Sequence, residues 1–255
     1  MRKRIISVGS LIAFVVAGGG FVAGYWSMTV PSVVILGFLF FKVYGSLFIA
    51  SNFYIRTFCK GDRNGGSIAI TFDDGPEPEN TVRILKILKE KNVKATFFCI
   101  GKKVRDAKSL VRQINEEGHL IGNHSFNHGK WFDLQSAQKM REELKMTDDA
   151  IALAISKKPK LFRPPYGVTN PNLAAAVRDD YQAIGWSIRS YDTVSSDKDK
   201  LWKRVTKKLK GGDVVLFHDR CEATIEMLPR FIDHVSEVGL RIVPLDQMLN
   251  VKPYA

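Results

Sequence analysis

The stretch that decides the fold is Ser67-Ile-Ala-Ile-Thr-Phe-Asp-Asp-Gly-Pro76, SIAITFDDGP. Its short apolar, β-branched run reads as a buried strand, and Gly75-Pro76 stops it. Two adjacent carboxylates at a buried strand end repel each other and lose hydration, so they need a compensating partner. A turn or helix cap would account for one aspartate, since Asp is common in turns, but not for both.

Downstream, strand-like and helix-like segments alternate to the end of the chain. Strands are expected at Ser67–Phe72, Ala95–Ile100, His119–Ile121, Lys160–Phe162, Gln182–Trp186, Asp213–Phe217 and Arg241–Val243. Helices are expected over Thr81–Lys91, over Val104–Glu117 with Gly118 as its stop, and from an Asp133 cap to about Ser156. Further helices are expected after Asn170-Pro171 (cap then N1 proline), over Asp197–Leu209, over Glu222–Val238 with a break at Pro229, and over Leu245–Leu249. This alternation implies an α/β fold with a mainly parallel sheet, open or closed into a barrel. In either case sites gather at the carboxyl ends of strands.

The candidate chemistry falls at those ends. Asp73 and Asp74 follow the first strand. Asn123-His124-Ser-Phe-Asn-His128, Arg163-Pro-Pro-Tyr166-Gly167, Ser187-Ile-Arg189-Ser-Tyr-Asp192 and His218-Asp219 follow later ones. His124 and His128 are four apart, so one helical turn would put both imidazoles on one face, able to share a metal. Two histidines and one carboxylate are a zinc-type ligand set that leaves a position open. Alone, the pair could be two solvated loop histidines; beside the doubled aspartate the metal reading is the stronger. Successive side chains on an extended segment diverge, so one aspartate can hold metal while the other faces a reacting water.

Thr71–Pro76 (TFDDGP), His124–His128 (HSFNH), Arg163–Gly167 (RPPYG) and the VVLFHD stretch with Leu216 and His218 resemble, in order, the motifs of the NodB-like polysaccharide deacetylases. ATFFCIG at Ala95–Gly101 and EEGHLIGNHS at Glu116–Ser125 are similar to that family too. The resemblance runs from about Ser67 to Leu249. It implies a distorted (β/α) barrel and metal-dependent removal of acetyl groups from N-acetylated sugars of a poly- or oligosaccharide. It further implies that Asp74, His124 and His128 bind a divalent metal, usually Zn2+. Asp73 would be the general base, Arg163 its ion-pair partner and His218 the general acid. Leu216 and Trp186 would wall the acetyl-methyl pocket, and Tyr166 would offer its backbone N–H to the oxyanion. Many members carry Trp-x-x-Asp-x-x-Asp-Trp after the fifth strand. An aspartate of that pattern is implied to tune the catalytic histidine; here Arg189 stands at the first aspartate and Asp192 matches the second, and Asp192 is grouped with Tyr166, Leu216 and Trp186 on the substrate side. Arg189 is read either as paired with a rim carboxylate or as meeting an anionic part of the substrate. Cys221, His119 and His234 are read as packing residues.

The net charge of +12 is uneven: +3 in residues 1–30, +3 in residues 31–66 and +6 in the rest. Half the excess flanks apolar segments, which favours anionic lipid headgroups as partner. No basic stripe interleaved with aromatics reads as a nucleic-acid surface. Cys59, Cys99 and Cys221 form neither a disulfide framework nor a cysteine zinc site. Ile5 to Val30 carry no charge, long enough to span a bilayer of about 20 residues. A second run follows Pro31, broken by Lys42 near mid-span. We read a membrane anchor of one or two segments, either a hairpin turning near Gly24–Pro31 or a single crossing, against the competing reading of a cleaved signal peptide; the location is the bacterial cytoplasmic membrane, and charge alone leaves the domain side open. The organisation is then an anchor (1–56), a linker (57–66) and a catalytic domain (67–251). The competing substrate is a lipid-linked sugar at the inner leaflet, cleaved by deformylation or deacetylation. The less favoured function is a catalytically silent carbohydrate-binding domain.

Overall fold

In the computed structural model, which describes residues 13, 15–178 and 180–255, nine strands join one all-parallel sheet. They are β1 (Thr57–Phe58), β2 (Ser67–Asp73), β3 (Thr96–Cys99), β4 (Leu120–Asn123), β5 (Leu161–Phe162), β6 (Gln182–Ile184), β7 (Ile188–Arg189), β8 (Val214–His218) and β9 (Arg241–Ile242). The order is β1-β6-β5-β4-β3-β2-β8-β7, with β9 on β2. β6 lies second from one end of this order and β7 at the other end, yet only Gly185–Ser187 separates them. A three-residue link reaches roughly 10 Å, so the sheet must curl until its ends meet. The backbone bond from Gly61 N–H to Gly212 O and the bridge between Lys60 and Asp213 tie that seam. The result is the distorted barrel expected from the motifs.

Strand alternation sorts the side chains of β2. Ile68, Ile70 and Phe72 point outward into the layer between sheet and helices, with Ile84, Leu85, Phe217 and Phe231. Ala69 points inward, beside Phe98, Leu161, Ile184 and Val214 from four other strands. The same parity turns Thr71 and Asp73 inward at the carboxyl end. Leu245 of α9 (Leu245–Leu249) joins the interior cluster.

The other helices are α1 (Thr29–Leu47), α2 (Asn80–Glu90), α3 (Gly101–Asp106), α4 (Lys108–Glu116), α5 (Ala137–Ile155), α6 (Pro171–Val177), α7 (Lys198–Thr206) and α8 (Glu222–Glu237). Three differ from the sequence reading. The helix expected from Val104 splits at Ala107, whose φ of −128° leaves helical space. The cap of the long helix is Ser136, whose hydroxyl accepts from Lys139 N–H, while Asp133 lies in a 3₁₀ turn, Phe132–Leu134. Phe132, 2% exposed, draws that turn into the core and leaves Ser136 to start the helix. α8 runs unbroken through Pro229, because Ile225, Leu228, Phe231, Ile232 and Val235 bury one continuous stripe. Asn170 caps α6 as expected, accepting from Leu173 N–H at 2.8 Å. Part of the segment read as a linker forms β1 and pairs with β6, and the terminal Tyr254 bridges Pro159.

Much of the first apolar segment lies outside the described residues; residues 15–22 are helical and a turn follows at Ala23–Gly24. α1 has mean hydropathy 1.8 with 11% of its apolar window buried, and is long enough to cross a membrane. Lys42 lies in its last turns rather than at mid-span, with Nζ 4.6 Å from the centre of the Phe38 ring.

Candidate active site

Asp73, at the last position of β2, is 3% exposed. Arg163 Nη1 donates to its Oδ1 at 2.7 Å and to Thr71 Oγ1 at 2.8 Å. Arg163 is fully buried, so its remaining donors need partners: Nη2 donates to Gly185 O at 2.8 Å and Nε to Ile184 O at 3.3 Å. Its guanidinium also lies 4.1 Å from the centre of the Phe98 ring. Burial pushes the Arg163 pKa down, and the Asp73 carboxylate opposes that.

Asp74 takes a left-handed φ of 73°, which swings its carboxylate away from that of Asp73. Its Oδ1 lies 3.6 Å from His124 Nε2 and 3.5 Å from His128 Nε2. These separations are too long for hydrogen bonds. They match the edge of a tetrahedron, about 3.4 Å, around an ion with bonds of about 2.1 Å. His124 Nδ1–H donates to Arg163 O at 2.8 Å, which fixes the tautomer and turns Nε2 toward the cluster. The three side chains thus fit one divalent ion, with their ligand atoms all within 4.8 Å of one another. Burial, then the nearby His124, lowers the His128 pKa to about 4, so its ring is neutral and can ligate at neutral pH. Burial opposes the Asp74 charge, but the His124, His218 and His128 imidazoles hold its carboxyl below the usual range.

His124 and His128 are not on a helical turn. They sit in a loop whose Ser125 and His128 have φ of 62° and 49°. Glu143 of α5 holds this loop, accepting from the N–H groups of Phe126 (3.1 Å) and Asn127 (3.0 Å). Of the ten non-glycine residues with positive φ among those described, Asp74, Ser125, His128, Tyr166 and Tyr191 belong to the site loops. Such backbone costs about 1–3 kcal/mol per residue, so the surrounding contacts must hold it.

His218 ends β8, directly beside Asp73 in the β2–β8 register. Its Nδ1–H donates to Asp192 Oδ1 at 2.7 Å, and its backbone N–H donates to Oδ2 at 2.8 Å. Thr224 Oγ1 donates to the same Oδ2 at 2.6 Å. Burial disfavours the imidazolium, but Asp192 outweighs it and raises the His218 pKa; in return the Asp192 carboxyl is lowered. Asp192 is not on the substrate side expected from the sequence. It stands behind His218, off the cavity wall, because both its oxygens are taken up in holding that residue.

Asp73, Asp74, His124, His128, Tyr166, Trp186, Leu216 and His218 line one cavity of about 380 Å³. Trp186 packs on Gly167, where a Cβ would come within 2.3 Å of the indole and φ is +74°. Arg189 lines the cavity too and has no carboxylate partner among the described residues; it lies 5.4 Å from the Trp186 ring centre and 5.0 Å from that of Tyr191. Sequence reasoning missed Lys103 and Arg220, which also line it. Lys103 Nζ donates to Asp74 O, and Arg220 Nε donates to Asp74 Oδ2 at 3.1 Å. Arg220, two residues after His218, had a signal in its position; Lys103, on α3, had none. His119 is buried and accepts from Ala95 N–H, and His234 packs on Trp202, both away from the cavity. Cys221 immediately precedes α8.

Known proteins resemble this chain in sequence and fold. The polysaccharide deacetylase family model matches residues 60–184. A Bacillus cereus peptidoglycan-N-acetylglucosamine deacetylase is 34% identical over 191 residues, covering 72% of this chain and 89% of that protein. A chitooligosaccharide deacetylase of Rhizobium leguminosarum bv. trifolii is 34% identical over 193 residues, 75% of this chain and 85% of that one. The solved structure of a peptidoglycan N-acetylglucosamine deacetylase superposes with TM-score 0.73 at 29% identity, over 77% of this chain and 94% of that one. The chain belongs to the polysaccharide deacetylase family, hydrolases of carbon–nitrogen bonds other than peptide bonds. None of these relatives is named for a lipid-linked sugar.

Proposed function

We propose that this protein removes acetyl groups from the N-acetylated sugars of a cell-wall-type glycan, using a divalent metal held by Asp74, His124 and His128. The observation that carries this reading is the convergence of a three-donor cluster, an arginine-held carboxylate and a carboxylate-held histidine on one cavity. The oxygen and nitrogen donors suit Zn2+. When bound, such an ion supplies Lewis acidity toward the acetamide carbonyl and lowers the pKa of water.

The chain's own residues do the rest. Asp73 takes the proton of the attacking water through Oδ2, the oxygen that Arg163 leaves free. Arg163 pairs with that carboxylate and keeps it aimed. The Tyr166 backbone N–H faces the carbonyl oxygen as charge develops there. His218 protonates the amine nitrogen as the C–N bond breaks, because an amine anion is a poor leaving group. Acetate and the free amino sugar are the products. Leu216 and Trp186 enclose the methyl group and keep bulk water away from it.

We also assign the enzyme to the membrane, through α1. Thr169 N–H donates to Ser46 O at 3.0 Å and Thr169 Oγ1 to Gly45 O at 3.0 Å. These bonds hold the end of α1 against the segment that follows RPPYG, close to the site. A wall glycan places the domain outside the cytoplasm, which protease accessibility in intact cells tests. The chemistry is tested by acetate release from N-acetylglucosamine oligomers by the wild type, Asp73→Asn and His124→Ala. Full activity in either variant overturns the assigned roles.

A further inference from the structure

Three cationic side chains line the cavity, and two of them are already paired. Lys103 is ion-paired with Glu77, and Arg220 with Asp74. Arg189 has no carboxylate partner among the described residues, and its Nε is buried with no acceptor. That Nε is enclosed by protein atoms, so a ligand entering the cavity meets the terminal nitrogens of this cavity-lining side chain instead.

Several contacts hold Arg189 in place. Its register partner on β8 is Leu216, which also lines the cavity. Trp186 and Tyr191 flank the guanidinium, and Arg204 stacks 3.8 Å from the centre of the Tyr191 ring while its Nε donates to Arg189 O at 2.9 Å. Tyr191 keeps a left-handed φ of 60° in this arrangement. Aromatic contacts use the face of a guanidinium and leave its N–H edge for a planar oxyanion.

We propose that Arg189 binds a carboxylate carried by the glycan, and so makes the enzyme prefer an acidic glycan over a neutral one. This rests on the function proposed above. Muramic acid whose lactyl ether carries no stem peptide, and so bears a free carboxylate, supplies such a group in a wall glycan. A carboxylate is preferred to a sugar hydroxyl because a charge-assisted pair is the stronger contact and neutralises a cation that the cavity otherwise leaves uncompensated.

The test uses the full-length, metal-loaded protein and three oligomers of equal length. One contains N-acetylglucosamine alone, one alternates it with N-acetylmuramic acid, and the third is the second with its carboxyls methyl-esterified. kcat/KM is expected to be roughly ten- to a hundredfold higher for the acidic oligomer than for its ester, the range of one charged hydrogen bond. Arg189→Gln should shrink that acid-to-ester ratio to near one, and Arg189→Asp should invert it. The ratio is taken within each variant, so a general loss of activity cancels, and the wild-type ratio stands even if a variant fails to fold. Raising salt should weaken the wild-type preference and leave the ester unaffected. Equal wild-type rates on acid and ester, with deacetylation intact, overturn the Arg189 assignment and leave the function standing. No acetate release from any oligomer overturns the function, and this inference with it.

Discussion

Asp192 holds His218 from two directions, accepting its Nδ1–H at 2.7 Å and its backbone N–H at 2.8 Å. One carboxylate therefore fixes both the tautomer and the position of the proposed acid. The Trp-x-x-Asp-x-x-Asp pattern loses its first aspartate here, yet the second suffices, because β7 brings it behind the end of β8.

Asp192→Asn tests that relationship. His218 acts as an acid only while protonated, so activity falls as pH rises through its pKa. Asp192 raises that pKa above the ordinary value of 6.5. With Asn, burial is opposed only by the charges of Asp73 and Asp74 and the pKa drops, so the alkaline limb of kcat/KM moves to lower pH. At neutral pH the loss should approach the roughly 10²–10⁴-fold worth of general acid catalysis. A pH–rate profile whose alkaline limb stays in place would sink the role given to Asp192.

Arg163 and Asp73 form a buried pair, and losing either half leaves the other charge buried alone. Arg163→Met leaves the Asp73 carboxylate buried and uncompensated, at a cost of about 3–5 kcal/mol. Asp73→Asn leaves the fully buried Arg163 guanidinium without its carboxylate, a cost of the same kind, and should also abolish most of the activity. Metal content in Asp73→Asn should match the wild type, because Asp74 carries the metal contact. The double variant Asp73→Asn/Arg163→Met should be more stable than the sum of the singles. Urea unfolding of all four proteins measures this, and strict additivity counts against the pairing.

Much of this arrangement is written in SIAITFDDGP. An apolar strand that ends in two carboxylates requires a cation, and Arg163 and the proposed metal supply it. Alternation along β2 already places Asp73 inward, beside the barrel core. What could not be read is how the chain bends. His124 and His128 are at helical spacing, yet Ser125 and His128 adopt left-handed backbone and bring the rings together from a loop. β1 is two residues long, too short for any periodicity, and its pairing with β6 depends on closure of the whole barrel. Asp133 and Ser136 are both good caps three residues apart; the burial of Phe132 decided between them. Lys103 reaches Asp74 from a helix 29 residues away in sequence, a contact that only the fold creates.

Metal removal gives the next prediction. Chelation should abolish deacetylation, and Zn2+ or another divalent ion should restore it. His128→Ala should lower the bound metal per chain, measured by elemental analysis after gel filtration. Because the ligands gather only in the folded state, metal at 1,000 times Kd should stabilise the wild type by about 4 kcal/mol. The melting temperature of His128→Ala should respond much less. Unchanged activity in the fully demetallated protein would remove the metal from the mechanism.

His119 should make stability depend on pH in the acid range. It is 2% exposed, its Nδ1 accepts from Ala95 N–H at 3.1 Å, and its Nε2 is buried without a partner. Burial, and secondarily Lys94, lowers its folded pKa to about 4 from 6.5. The unfolded chain therefore takes up a proton as pH falls below about 6.5, while the folded chain resists until about 4. Stability is fully present above the unfolded value and is lost through that window, by about 3 kcal/mol at about 1.4 kcal/mol per pH unit. His119→Asn removes the titration and keeps an acceptor for Ala95. Its urea midpoint should thus start lower at pH 7, through imperfect packing, but decline less between pH 6.5 and 4. Other groups that titrate in the range, His128 among them, act equally on both proteins, so the difference between the two slopes isolates His119. Parallel slopes would mean that the folded state protonates His119 as readily as the unfolded chain does. The Ala95 N–H would then have to exchange its acceptor for another at little cost.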